Sequence, residues 1–130
     1  MNPEDRKYTE EHEWVKLEDP DTQRAVVGIT HYAQDQLGDI VFFELLQPGS
    51  TVAQLGKIGE VESVKSVSDL FSPVSGEVLE INTNLLDHPE IANEDPFGKG
   101  WLVRVAMTDV AELENLMTAD QYASYTSGLP

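Results

Sequence analysis

Cysteine is missing from this 130-residue chain. Disulfides, thiolate nucleophiles and cysteine-bound metals are excluded with it. Basic residues are scarce, 8 Lys and Arg against 24 Asp and Glu, for a formal net charge of −16. Such a surface repels phosphate backbones and anionic lipids, so no nucleic-acid or membrane partner is expected. The charge serves solubility, and it also suits docking against basic patches on partner proteins. No Lys or Arg follows Arg104, which leaves the tail wholly acidic. No apolar run approaches the roughly 18–20 residues that cross a bilayer. The opening Met1-Asn2-Pro3-Glu4-Asp5-Arg6 is polar and acidic, unlike a secretory signal or a transit peptide, so a cytoplasmic protein is expected.

Catalytic signatures are lacking as well. His12, His31 and His88 are scattered, without metal-ligand spacing. Glu10-Glu11-His12-Glu13 reads as a solvated charged face, and no metal site is expected. Gly56-Lys57-Ile58-Gly59 has neither the spacing nor the Ser/Thr of a phosphate loop, and Ser75-Gly76 lacks the flanks of a nucleophile elbow.

What is present is an ordinary globular composition, 40% hydrophobic and 25% charged, of a length that suits one domain over residues 1–130. Short strand-like runs recur between turn signals. Strands are predicted over residues 8–17, 24–29, 39–46, 52–63, 66–71, 77–82 and 101–106. Thr30 can cap a short helix running to Gln36, with Gly38 as its stop. Residues 84–100, with Pro89 and Pro96, look like loop. The core is expected over about 8–106, followed by a helical tail over 108–127. In that tail Thr108-Asp109 caps one helix, and Thr118-Ala119-Asp120-Gln121 has capping-box spacing. This pattern predicts a mainly β fold, a sandwich or flattened barrel. Trp14 and Trp101 are expected to pack in or near the core.

The informative stretch runs Glu62-Ser63-Val64-Lys65-Ser66-Val67-Ser68-Asp69-Leu70-Phe71-Ser72-Pro73-Val74-Ser75-Gly76-Glu77-Val78. It sets one lysine between two strand-like segments, where it would project from a hairpin. A reachable, deprotonated amine is a competent nucleophile for acyl transfer. Turn chemistry alone does not select this site, because Val64-Lys65 has no Gly or Asn of the kind a two-residue primed turn prefers.

This stretch resembles the lipoyl-attachment motif of the H proteins of the glycine cleavage system. The resemblance extends through Tyr8-Thr9, His12-Glu13-Trp14-Val15, Val27-Gly28-Ile29-Thr30, Leu37-Gly38-Asp39-Ile40-Val41, Asn93-Glu94-Asp95-Pro96-Phe97-Gly98 and Gly100-Trp101-Leu102. Departures are Leu46-Gln47-Pro48, Ser66 and His31, none of them at the lysine. The resemblance implies a flattened barrel of the lipoyl/biotinyl hammerhead type with short flanking helices. It implies lipoic acid in amide linkage to Lys65, and a carrier that is not itself an enzyme. The implied partners are glycine decarboxylase (P protein), a tetrahydrofolate-dependent aminomethyltransferase (T protein), dihydrolipoamide dehydrogenase (L protein) and a lipoylating enzyme. A monomer is expected.

Glu62 and Asp69 flank the lysine and either guide the lipoylating enzyme or only solvate the hairpin. Glu13 and Asp69 match acids that line a cleft for the loaded arm in such proteins; the alternative is a solvated surface role. Two other classes stay in view. A biotinyl domain would place methionines on both sides of the lysine, where Val64 and Ser66 stand here. An unmodified interaction module would keep the fold without the arm.

Overall fold

The computed structural model describes residues 2–129 and contains two antiparallel sheets. The larger combines β1 (Lys7–Tyr8), β2 (Glu13–Asp19), β3 (Arg24–Ile29), β5 (Thr51–Val52), β8 (Gly76–Ile81) and β9 (Val103–Met107), in the order β1-β2-β3-β9-β8-β5. The smaller is β4 (Ile40–Leu45), β6 (Lys57–Ser63) and β7 (Val67–Phe71), in the order β4-β6-β7. Val15, Val27, Phe43, Ile58, Val61, Val78 and Val105 belong to one buried core fed by both sheets. This is the mainly β sandwich that the strand pattern predicts.

The apolar run Ala25-Val26-Val27-Gly28-Ile29 is buried on both faces. Ala25, Val27 and Ile29 point into the main core. Val26 joins Tyr8, Trp14, Ala119 and Tyr122 in a second cluster beneath α4 (Ala119–Ser127). The Trp14 ring fills the space that a side chain at Gly28 would need. Trp14 is accordingly buried, whereas Trp101 is half-buried with Arg104 stacked 4.1 Å over its ring.

Several boundaries differ from expectation. The predicted strand over 8–17 breaks at a turn in which His12 takes φ 72°. The one over 52–63 breaks at the Ala53–Gly56 turn, so that β5 joins the larger sheet and only β6 runs on to the lysine. Residues 84–100 are not plain loop. They hold α2 (Asn84–Asp87) and α3 (Ile91–Glu94), single turns that Pro89 and Pro96 keep short and that Leu85 and Ala92 anchor in the core. The capped segment after Asp109 is a 3-10 helix over Val110–Asn115, whereas the capping box at Thr118 and Gln121 forms as read. The helix α1 (His31–Leu37) starts from Thr30, whose Oγ1 accepts from the Ala33 amide at 3.1 Å, and ends at Gly38 with φ 75°.

Candidate functional site

Lys65 stands exposed at the tip of the β6–β7 hairpin, in the turn Ser63-Val64-Lys65-Ser66. The Ser63 amide donates to the Ser66 carbonyl at 2.8 Å. Ser63 Oγ then accepts from the amides of Lys65, at 3.1 Å, and Ser66, at 3.2 Å. A hydroxyl therefore does in this turn what a positive-φ residue does in a primed one. Neither Val64 nor Lys65 is among the residues with positive φ.

The hairpin leans on the corner between α1 and β4. The Val64 amide donates to the Asp39 carbonyl at 3.0 Å. The Lys65 stem lies over Gly38, where an added Cβ would sit 3.2 Å from Lys65 Cε. Asn93 of α3 reaches into the same corner. Its Oδ1 accepts from the Ile40 amide at 2.9 Å, and its Nδ2 donates to Gly38 O at 2.9 Å and Gln34 Oε1 at 3.0 Å.

Glu62 lies in one cross-strand row with Phe42 and Val67, and all three are exposed. Asp69 lies in the next row, opposite Glu60, which is itself opposite Glu44. Lys57 Nζ bridges this row, 2.7 Å from Glu60 and 3.2 Å from Asp69. Such exposed pairs are screened by solvent and add little to stability. A bulge between Ile40 and Phe42 leaves Val41 and Phe42 both at the surface beside the hairpin.

Glu13 is placed quite differently. It is 1% exposed, which overturns the solvated alternative for this residue and the reading of 10–13 as one charged face. Thr9 Oγ1 donates to its Oε1 at 2.7 Å, and the Phe71 amide donates to its Oε2 at 3.2 Å. Burial pushes the carboxyl up from the usual 4.5 to about 8, against the opposing pull of those two hydrogen bonds. Glu13 and Asp69 make no hydrogen bond with each other among the described residues; the amide of Phe71, two positions beyond Asp69 on β7, links Glu13 to that strand.

His12 is half-buried as well. Its Nδ1 lies 2.7 Å from Tyr122 Oη, and Tyr122 Oη lies 2.8 Å from Thr30 Oγ1. Burial lowers the His12 pKa. Among the described residues there is no cluster of three metal-ligating side chains, and no helix is long and apolar enough to cross a membrane.

Two antiparallel sheets with one lysine exposed at the tip of a β-hairpin agree with the lipoyl-type sandwich that the sequence resemblance implies. A family model described as "Glycine cleavage H-protein" matches residues 6–128. A glycine cleavage system H protein of Bacillus cytotoxicus is 49% identical over 125 residues, covering 96% of each chain, and one of Bacillus cereus is 48% identical over the same length. A crystal structure of a glycine cleavage system H protein from Mycobacterium marinum superposes with a TM-score of 0.89 at 41% identity, covering 97% of this chain and 99% of that one. This chain belongs to the glycine cleavage H-protein family.

Proposed function

We propose that this chain is a single-domain lipoyl carrier with lipoic acid in amide linkage to Lys65. It takes an aminomethyl group from glycine decarboxylase to the tetrahydrofolate-dependent aminomethyltransferase and is returned to its oxidised state by dihydrolipoamide dehydrogenase. The observation that carries this reading is Lys65 itself, an exposed amine on an ordered hairpin tip in a chain of this family. The site fits an acyl arm: the amine is accessible, the glycine at 38 leaves room beside the stem, and no side chain crosses the tip to bond the lysine among the described residues. A bound lipoyl group supplies the redox-active sulfur pair that a cysteine-free chain lacks.

The remaining residues have separable tasks. Ser63 orders the turn that presents the amine. Glu62 and Asp69, exposed on the same hairpin, offer carboxylates to the lipoylating enzyme. Glu13, with Asp69, is suited to hold a protonated amine cargo by charge-assisted hydrogen bonding. Of the two acids Asp69 is exposed and open to a cargo amine, whereas Glu13 is 1% exposed, has both oxygens bonded and is held towards its neutral form by burial, so it joins only when the surface over it opens.

Intact-mass analysis after incubation with lipoate, ATP and a lipoate ligase tests the attachment. One lipoyl mass increment is expected on the native chain and none on Lys65→Arg; an increment persisting on the variant overturns the assignment. A biotin adduct or an unmodified chain would favour the two rival classes. Glycine cleavage reconstituted with the P, T and L proteins then tests the shuttle, with turnover expected only when the modified carrier is present.

A further inference from the structure

The lysine hairpin is the β6–β7 part of the smaller sheet, and β4 pairs with β6 as far as Ile40 opposite Ser63, so only the Val64-Lys65 tip stands beyond the sheet. Its described polar tie at the tip is the bond from the Val64 amide to the Asp39 carbonyl, at 3.0 Å. Asp39 has α1 before it and β4 after it, so the tie is only as firm as that corner. Gly38 makes the corner possible, with φ 75° and ψ −153°, a region essentially confined to glycine. A corner so shaped needs its polar groups held, and one side chain from a distant segment holds them. Asn93 bonds the backbone on both sides of Asp39, at Gly38 O and Ile40 N, and steadies itself on Gln34 of α1. The same Gly38 carries the Lys65 stem.

From this juxtaposition we infer that Asn93 is a positioning residue for Lys65: it fixes the Gly38-Asp39 corner on which the hairpin tip and the lysine stem rest, and so sets where the amine is presented to the modifying enzyme. The inference rests on the reading of Lys65 as the attachment site. In that reaction Nζ attacks the carbonyl of an activated acyl donor, lipoyl adenylate; the C–N bond forms, AMP leaves, and the amine gives up a proton to solvent. The barrier depends on how well the amine is placed, and a displacement of about 1 Å can slow such a step by up to about 10²-fold.

Asn93→Ala removes all three bonds while leaving the exposed side chains around the lysine unaltered. With lipoate ligase and preformed lipoyl adenylate, kcat for acylation of the variant is expected to fall by about tenfold, an intermediate case of that misplacement cost. KM for the carrier should change by less than about twofold, because the docking residues are intact, and prolonged reaction should still give complete modification. Amide hydrogen exchange at Val64 should quicken, with Val15 and Val27 in β2 and β3 unchanged. Gln34→Ala, which removes the support of Asn93 and with it a 3.0 Å bond to His31 Nδ1 within α1, leaves both Asn93 bonds to the corner in place; it should shift kcat and Val64 exchange in the same direction by less, and it serves if Asn93→Ala does not fold. Wild-type kcat in both variants, or a loss confined to KM, overturns the positioning role while Lys65 stands as the site. Failure of the native chain to accept the acyl group overturns the Lys65 reading and this inference with it.

Discussion

Glu13 offers the sharpest test of how burial governs this protein. Its carboxyl is 1% exposed, and burial lifts it from 4.5 to about 8. Below pH 4.5 the folded and unfolded chains both hold the proton, and above about 8 neither does. Between these limits the folded chain binds more protons than the unfolded one, so stability falls as pH rises. At 1.36 kcal/mol per pKa unit, a shift of this size removes roughly 5 kcal/mol across the window. That is a large part of the 5–15 kcal/mol typical of a domain. Glu13→Gln has nearly the same shape, can still accept from the Phe71 amide, and does not titrate. The other acids contribute alike to both proteins, so the informative quantity is the difference between native and variant stability in urea at each pH. The variant is expected to gain on the native chain progressively from about pH 4.5 to pH 8. Parallel stability curves over that range would refute the reasoning.

Three further perturbations follow from named contacts. Ser63→Ala strips the acceptor from the Lys65 and Ser66 amides; stability should drop by about 1 kcal/mol, and both amides should exchange faster in NMR hydrogen exchange. Tyr122→Phe keeps the ring stacked 4.8 Å from Tyr8 but loses the contacts to His12 and Thr30, so urea denaturation should show a cost of about 1–3 kcal/mol. Gly28→Ala forces a methyl into the Trp14 ring, and thermal unfolding should reveal an overpacking penalty of about 1–3 kcal/mol.

Most of the strands were legible because their residues carry period and propensity locally. Residues 24–29 and 39–46 needed only their apolar runs and the stops at Thr30, Gly38 and Pro48. The breaks were not legible, because they depend on partners far along the chain. Leu55 takes φ 65° while its amide bonds Ser72, and nothing near Leu55 in sequence announces that. A long motif rather than the turn residues points to Lys65, and the turn shows why. Ser63 supplies by hydrogen bonding the local order usually sought in Asn or Gly. The burial of Glu13 was hidden for a similar reason. Its neighbours Glu10, Glu11 and His12 look solvated, yet the turn at His12 delivers the next side chain inward against β7. Asn93 stands in a stretch that carries the resemblance, but nothing near it in sequence shows its task, since its three partners lie between Gln34 and Ile40.

These features bear on how this scaffold suits the carrier role proposed for Lys65. A hairpin joined by a glycine-rich turn would reach a partner enzyme easily but would hold the amine loosely. Here the turn residues keep ordinary backbone conformations, a serine hydroxyl closes the turn, and the tip is tied to a corner clasped from α3. The lysine is exposed, yet its base belongs to the ordered part of the molecule. Mobility is thereby left to the side chain and to whatever is joined to it. Order beneath the amine lowers the entropy lost when an enzyme engages it. The exposed Phe42, Glu62, Val64 and Val67 around the lysine leave the tip open to a docking enzyme. The buried acid lies at the far end of β7 from the tip: a group held towards its neutral form by burial sits in the core, whereas the acylation proposed for Lys65 needs solvent.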